Sequence, residues 1–163
     1  MLPFPLLGFD CDNGNEFLNW HFLRHFAQRP KPVQFTRSRP YHKNDNAHIE
    51  QKNWTQVRQW LGYSRFDNPK VVPLLNDLFR NEWRLYHNFF MPSVKLLEKK
   101  QVAAKTIKRY DKPKTPYQRI LESPYVETSV KYALKEQFET LNPFHLRKAI
   151  DAKLKKIFAL KNK

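Results

Sequence analysis

The chain has 163 residues and a formal net charge of +15, from 30 lysines and arginines against 15 acidic residues. One cysteine excludes an internal disulfide framework and a multi-cysteine zinc site, and three glycines exclude a glycine-rich phosphate loop. No apolar run approaches the roughly 20 residues of a membrane-spanning helix, and the basic start of a signal peptide is missing. We therefore expect a cytoplasmic protein that binds a polyanion, with DNA favoured over an anionic membrane.

The first part of the chain predicts a strand, a helix and a second strand. An apolar strand is expected over residues 6–11, and a turn signal follows it at residues 12–14. Apolar residues at helical spacing predict a helix from residue 14 or 15 to about Gln28. A second short strand is expected over residues 33–36, before a polar, basic loop over residues 37–45.

Two longer helices are predicted after this loop. The first runs from Asn46 to about Tyr63, and four residues form its apolar side: Ile49, Trp54, Val57 and Leu61. The second runs from about Pro69 to Phe90, and its expected buried stripe is Val72, Leu75, Phe79, Trp83, Tyr86 and Phe90.

The rest of the chain, residues 93–163, is strongly basic. Residues 93–119 predict an extended connector with one or two short strands, and two helices close the chain. The first of these spans about residues 124–140. The second begins at Asn142-Pro143, a cap followed by proline, and its apolar face is Leu146, Ile150, Leu154 and Ile157.

Two carboxylates stand where a metal site can form. Asp12 ends the first strand, and Glu50 lies in the first turn of a helix, with 37 residues between them. This distance accommodates a helix, a strand and a loop, so both groups can reach one sheet edge. Mg²⁺ is commonly held by one or two carboxylates, and paired metals stabilise the reacting oxygens of a phosphodiester. Basic and amide side chains suited to the DNA backbone surround Glu50: Lys43, Asn44, Asn46, Lys52, Asn53 and Arg58.

Residues 8–19, GFDCDNGNEFLN, resemble the second-aspartate motif of DDE transposases and retroviral-type integrases. Residues 39–53, RPYHKNDNAHIEQKN, resemble the glutamate motif of the same family, and the spacing between the motifs matches. Residues 87–92, HNFFMP, and residues 115–119, TPYQR, resemble the downstream region of bacterial insertion-sequence transposases.

The resemblance implies an α/β protein with a partial RNase H-like fold, the integrase catalytic core, which is mostly helical in this chain. It implies Mg²⁺- or Mn²⁺-dependent DNA cleavage and strand transfer, with Asp12 and Glu50 as catalytic metal ligands. The chain then divides into the C-terminal part of the core (residues 1–92), a basic connector (93–121) and a C-terminal helical segment (122–163). Such a protein would be nucleoid-associated.

The chain departs from the family at the first catalytic aspartate, which belongs to an upstream strand. Only eleven residues precede Asp12, and Asp10 lies on the same strand as Asp12, so it is no substitute. We therefore expect a truncated transposase that is inactive alone, oligomerises, and depends on a complementary fragment or a full-length transposase. The alternative is a non-catalytic DNA-binding or regulatory module that acts with a full-length transposase.

Other features of the sequence have plainer interpretations. His21 and His25 stand four residues apart as metal ligands can, but a partly buried or surface pair is favoured. The lysines of residues 95–119 suit either a solvated linker or DNA backbone contact, and the interspersed tyrosines favour DNA. The apolar face of the last helix lacks Trp, which favours core packing over a membrane surface.

Overall fold

The computed structural model describes residues 5–11, 20–39 and 47–161. The chain separates into two compact units, Met1–Ser64 and Arg65–Lys163. The second unit takes in residues from all three predicted segments. Helices predominate, and two small sheets accompany them in the described part of the chain. The predicted mixed α/β class is therefore confirmed.

A parallel strand pair with its connecting helix forms the start of the first unit. Strand β1 (Gly8–Cys11) and strand β2 (Gln34–Arg37) pair in parallel, with Gly8 opposite Gln34 and Cys11 opposite Arg37. Helix α1 (Trp20–Ala27) lies between them in the chain. Both predicted strands are confirmed, and so is the helix over the part that is described. The predicted start of that helix lies outside the described residues.

Stacked phenyl rings join α1 to the two strands. The ring centroid of Phe9 lies 4.8 Å from that of Phe26 and 5.9 Å from that of Phe35. Phe22 on α1 reaches the Phe9 ring at 5.6 Å. Because side chains alternate along a strand, Phe9 and Cys11 face this cluster while Gly8 and Asp10 are exposed.

The helix that carries Glu50 has three parts. Helix α2 (Ala47–Asn53) continues through a first π-helical segment (Trp54–Arg58) into helix α3 (Gln59–Leu61). It ends at Gly62, whose φ of +67° is a conformation that favours glycine. Of the predicted apolar side, Leu61 is buried but Trp54 and Val57 are exposed, which corrects the prediction. The π segment explains the difference, since its wider turns shift side chains away from the α-helical repeat.

The second unit begins with a long helix that also changes its winding. Helix α4 (Val71–Leu78), a second π-helical segment (Phe79–Trp83) and helix α5 (Arg84–Phe90) follow without a break. The buried positions are Val71, Leu78 and Phe89. The predicted stripe is wrong at Val72, which is exposed, and the preceding residue Val71 is buried in its place.

Two helices close the chain, as predicted. Helix α7 (Thr128–Glu139) precedes helix α8 (Pro143–Lys161), which is capped because the Asn142 side-chain oxygen accepts from the Phe144 N–H at 2.9 Å. Helix α8 packs against α4, the second π segment and α5. Its buried residues are Ile150, Leu154 and Ile157, which confirms most of the predicted face, and Leu146 is half-buried.

The basic connector contains more structure than the sequence predicts. Strands β3 (Leu96–Val102) and β4 (Lys105–Tyr110) form an antiparallel hairpin. Helix α6 (Pro116–Glu122) follows, so the prediction of an extended chain is wrong from residue 116 onward. A side-chain cap at Thr115 stabilises α6. Across the described ranges, none of the helices has the length and apolar character needed to cross a membrane.

Candidate functional site

The carboxyl ends of β1 and β2 form the edge where the sequence predicts a site. Ser38, directly after β2, is buried and donates its backbone N–H to the Cys11 carbonyl oxygen at 2.9 Å. Its hydroxyl donates to the same oxygen at 3.4 Å. In open α/β sheets, ligands bind outside the carboxyl ends of the strands. Asp12 follows Cys11 in the chain and lies outside the described residues.

Asp10 lies on the exposed face of the strand pair. Its carboxylate accepts a hydrogen bond of 2.8 Å from the Thr36 hydroxyl. These two residues are partners in the parallel register, so the bond ties β1 to β2. Asp10 is therefore a residue that holds the strand pair together.

Glu50 is exposed in the first turn of α2. Lys52 and Asn53 lie on the same short helix and are also exposed. The structure thus places an acidic, a basic and an amide side chain within one helical turn. The other predicted DNA contacts, Lys43, Asn44 and Asn46, lie outside the described residues. That Asp12 and Glu50 meet at one sheet edge stays a prediction.

Arg58 has local partners at the end of this helix. Its guanidinium lies 4.9 Å from the Tyr63 ring centroid and donates to the Gly62 carbonyl oxygen at 3.4 Å. The Trp54 ring lies 6.2 Å from the Tyr63 ring, and both aromatic side chains are exposed. Sequence reasoning assigned Trp54 to the apolar side and left Tyr63 without a role, although exposed aromatics beside an arginine are common in nucleic-acid-binding surfaces.

The carboxylate of Glu50 is the type of ligand that binds a hard divalent cation. The Glu50 carboxylate supplies the oxygen ligands that Mg²⁺ and Mn²⁺ prefer. Within the described ranges, no group of three His, Cys, Asp or Glu side chains is placed to hold a metal. Asp12 lies outside these ranges. The described helix α1 carries His21 and His25 without a third ligand from the described chain.

The segment TPYQR, which resembles transposase sequences, caps α6. The Thr115 hydroxyl accepts from the Gln118 N–H at 3.2 Å, and the Gln118 side chain accepts from the Thr115 N–H at 2.8 Å. Pro116 occupies the first turn. Together these residues form a capping box, which satisfies two backbone donors reciprocally. The signal was present in the sequence, since Thr, Pro and Gln stand at the spacing that starts a helix.

Tyr117 connects the two downstream motifs. Its ring centroid lies 5.1 Å from that of Phe89 in HNFFMP and 4.9 Å from that of Phe138 on α7. Burial raises the pKa of Tyr117, and the nearby charge of Glu139 raises it further. These aromatic contacts join α5, α6 and α7, so this part of the resemblance rests on residues that hold the second unit together.

Arg119 anchors the base of the hairpin. It donates to an Asp111 carboxylate oxygen at 2.6 Å and to the Ser93 carbonyl oxygen at 2.7 Å. Asp111 also accepts from the Lys95 backbone N–H at 2.6 Å. The hydrogen bond from Arg119 and the one from Lys95 lower the pKa of Asp111 to about 2. The carboxylate therefore remains ionised and joins α6 to the chain that enters and leaves β3 and β4.

The fold and the candidate site together define an α/β protein with a parallel strand–helix–strand unit, followed by a helix that carries Glu50. No family model and no solved structure matches the chain. "Uncharacterized protein y4rM" of Sinorhizobium fredii is 41% identical over 119 residues, which are 73% of this chain and 33% of the relative. The matched part thus spans about a third of the length of that curated relative.

Proposed function

We propose that this chain is part of a DDE-type transposase or integrase catalytic core with an RNase H-like fold. The observation that carries the proposal is the order of elements around the two acidic motifs. Strand β1 leads directly into Asp12, α1 and the parallel strand β2 follow, and Glu50 stands in the first turn of the next helix. Parallel strands end at the same sheet edge, so this order favours a shared carboxylate site.

The proposed chemistry assigns each group a role. Asp12 and Glu50 would hold Mg²⁺ or Mn²⁺, which, when bound, polarises a phosphodiester for cleavage and strand transfer. Lys52 and Asn53, exposed beside Glu50, would hold the DNA backbone through charge and hydrogen bonds. Lys43, Asn44, Asn46 and Arg58 are proposed for the same role. The protein would work on DNA in the cytoplasm, at the nucleoid.

The family resemblance implies a third carboxylate for full activity, and we propose that a complementary fragment or a full-length transposase supplies it. Two features of the first unit support such a partner. Leu7 and Trp20, which flank the strand pair and α1, are strongly exposed apolar side chains. In the described part of the unit, β1 pairs with β2 alone, and an unpaired strand edge is a ready site for further strands. Alone, the chain would bind metal weakly and cleave DNA little or not at all.

Calorimetric titration of the full chain with Mn²⁺ tests the proposal. We expect weak binding that both Asp12→Asn and Glu50→Gln abolish, because each removes a ligand. Glu136→Gln, which neutralises an exposed carboxylate on α7, is the matched control and should leave binding unchanged. Binding that persists in both site variants, or an equal loss in the control, would reject the metal site.

The second candidate function is a DNA-binding or regulatory module without chemistry, acting with a full-length transposase. The net charge of +15 favours it, because such a surplus attracts DNA without any catalytic group. In that case duplex DNA would bind in a salt-dependent way while Mn²⁺ would not bind at Asp12 and Glu50. The calorimetric titration therefore separates the two functions.

A further inference from the structure

In the part of the chain that the structure describes, no helix or other sheet covers the hairpin formed by β3 and β4, here called the basic hairpin (residues 96–110). Every residue of both strands is exposed. An isolated two-stranded hairpin is marginally stable in water. The full exposure of this hairpin therefore needs an explanation other than its own stability. Five of its side chains are basic and one, Glu98, is acidic. The basic residues are Lys99, Lys100, Lys105, Lys108 and Arg109.

Positive charge occurs on both faces of the ribbon. Paired residues of an antiparallel ladder share a face, so Lys99 and Lys108, which are register partners, lie side by side on one face. Like charges in this arrangement destabilise a sheet. No carboxylate of the described chain forms an ion pair with either lysine. On the opposite face, Glu98 pairs with Lys100 at 2.8 Å and stands opposite Arg109.

The base of the basic hairpin is fixed to the second unit. The bonds from Arg119 to Asp111 and Ser93 hold the two ends of the hairpin together. A second bridge joins Ser93 and Lys114, with backbone hydrogen bonds of 3.0 and 3.1 Å. The ribbon therefore projects from a fixed base, which lowers the entropic cost of binding a ligand along its length.

The pattern of side chains favours DNA over a membrane. A membrane-surface element needs one apolar face and one charged face. The exposed apolar side chains of the hairpin are Leu96, Leu97, Val102, Ile107 and Tyr110. They do not form an uncharged face, because Val102 and Ile107 share a face with lysines while Lys99 and Lys108 occupy the other face. A ribbon that is positive on both sides suits the major groove of duplex DNA, which admits a two-stranded ribbon and has phosphates along both walls.

We propose that the basic hairpin inserts into a groove of duplex DNA and that Lys99 and Lys108 contact phosphates there. The proposal rests on the proposed function in taking DNA as the ligand. It adds a second binding surface that requires neither Asp12 nor Glu50. The mutual repulsion of the two lysines is relieved when phosphates neutralise them, so the free hairpin is prepared for a polyanion.

Fluorescence anisotropy of the full chain with a labelled 30-base-pair duplex, measured from 50 to 200 mM KCl, tests the hairpin. Each phosphate contact contributes about 0.9 to the slope of log affinity against log salt. Lys99→Gln/Lys108→Gln should therefore reduce the slope by about 1.8 and lower the affinity about 60-fold at 0.1 M salt. The matched control is Lys155→Gln/Lys156→Gln, which removes the same charge from exposed positions on α8.

Several outcomes would overturn the proposal. An equal loss in the control pair would mean that general charge attraction explains binding. Unchanged binding in the hairpin variant, with Mn²⁺ binding at Asp12 and Glu50 intact, would reject the hairpin while the proposed function stands. Tighter binding to vesicles of phosphatidylcholine and phosphatidylserine than to the duplex would assign the hairpin to membranes. The hairpin variant removes a repulsion between two lysines, so its melting temperature should not fall. A thermal melt of this variant therefore shows whether a loss of binding is due to misfolding.

Discussion

Truncating Phe89 to alanine should destabilise the second unit strongly. Phe89 is 6% exposed, and its ring centroid lies 5.1 Å from that of Tyr117, in a tilted pair, and 6.2 Å from that of Phe138, in a stacked pair. These rings belong to three helices, α5, α6 and α7. Removing the ring would leave a cavity at the point where those helices meet, and the neighbouring rings cannot close it without moving whole helices.

The expected cost follows from this burial. A buried Phe→Ala substitution costs about 3–5 kcal/mol in free energy of unfolding. For a unit of roughly 100 residues, a loss of this size lowers the melting temperature by about 15–25 °C. Phe144→Ala is the matched control, because Phe144 is 82% exposed and the same atoms are removed. We expect the control to change the free energy by less than about 0.5 kcal/mol.

Urea denaturation of the full-length variants, followed by circular dichroism at 222 nm, measures both changes. Most of the described helix lies in the second unit, so the helical signal reports on its unfolding. Similar midpoints for Phe89→Ala and Phe144→Ala would refute the aromatic junction. So would a loss at Phe89 below about 1 kcal/mol, since the site would then have no tight packing to lose.

Three further predictions concern single positions. Gly62→Ala should destabilise the first unit by about 1–3 kcal/mol because φ is +67° there, whereas Gly8→Ala, whose added Cβ would lie 3.6 Å from the Gln34 carbonyl oxygen, should be nearly neutral; thermal melts compare them. Thr115→Ala should cost about 1 kcal/mol through the lost cap of α6, while Thr115→Ser should retain stability in the same melts. Asp111→Asn should lower the melting temperature at pH 6. The pKa of Asp111 falls from 3.8 to about 2 on folding, so the stabilisation by its carboxylate is present above pH 4 and is lost as the pH falls through 2. The melting temperatures of the variant and the wild type should therefore converge between pH 4 and pH 2. A constant difference over that range would contradict the role of the carboxylate.

The strand–helix–strand unit was predictable because its signals are local. Short apolar runs and a phenylalanine repeat at helical spacing specify β1, α1 and β2, and the phenyl rings that set the repeat also form the packing contacts. Helix α8 was predictable for the same reason, since Ile150 and Ile157 lie on one face of a regular helix and are fully buried. Local pattern and tertiary packing agree in both elements.

The buried faces of the two other long helices were not predictable in detail. Each helix contains a π-helical segment. The apolar repeat of residues 69–90 does not indicate where the α-helix changes to a π-helix. At the start of α4, before its π segment, Val71 is buried in place of the predicted Val72. The hairpin lacked its usual signal as well, because its turn contains Ala103 with a φ of 52° where glycine or asparagine is typical.

The candidate site also has parts that the sequence predicts and parts that it does not. Residue types and spacing singled out Asp12 and Glu50, and the described elements stand in the order that the spacing requires. The cap of α6 has a local signal, but sequence could not give the stacking of Tyr117 on Phe138 or the bond by which Arg119 fixes the hairpin base. Such roles depend on partners that lie far away in the chain, such as Phe138, and only the fold brings them together.

Paramagnetic broadening of amide resonances by Mn²⁺ tests the shared carboxylate site most directly. In the ¹⁵N-labelled full chain, substoichiometric Mn²⁺ should broaden the amides around Cys11 and those around Glu50 together, because one ion would be close to both. Glu50→Gln should remove the broadening at both places. Broadening at only one of the two places, or equal broadening in Glu50→Gln, would contradict the proposal that Asp12 and Glu50 hold one metal.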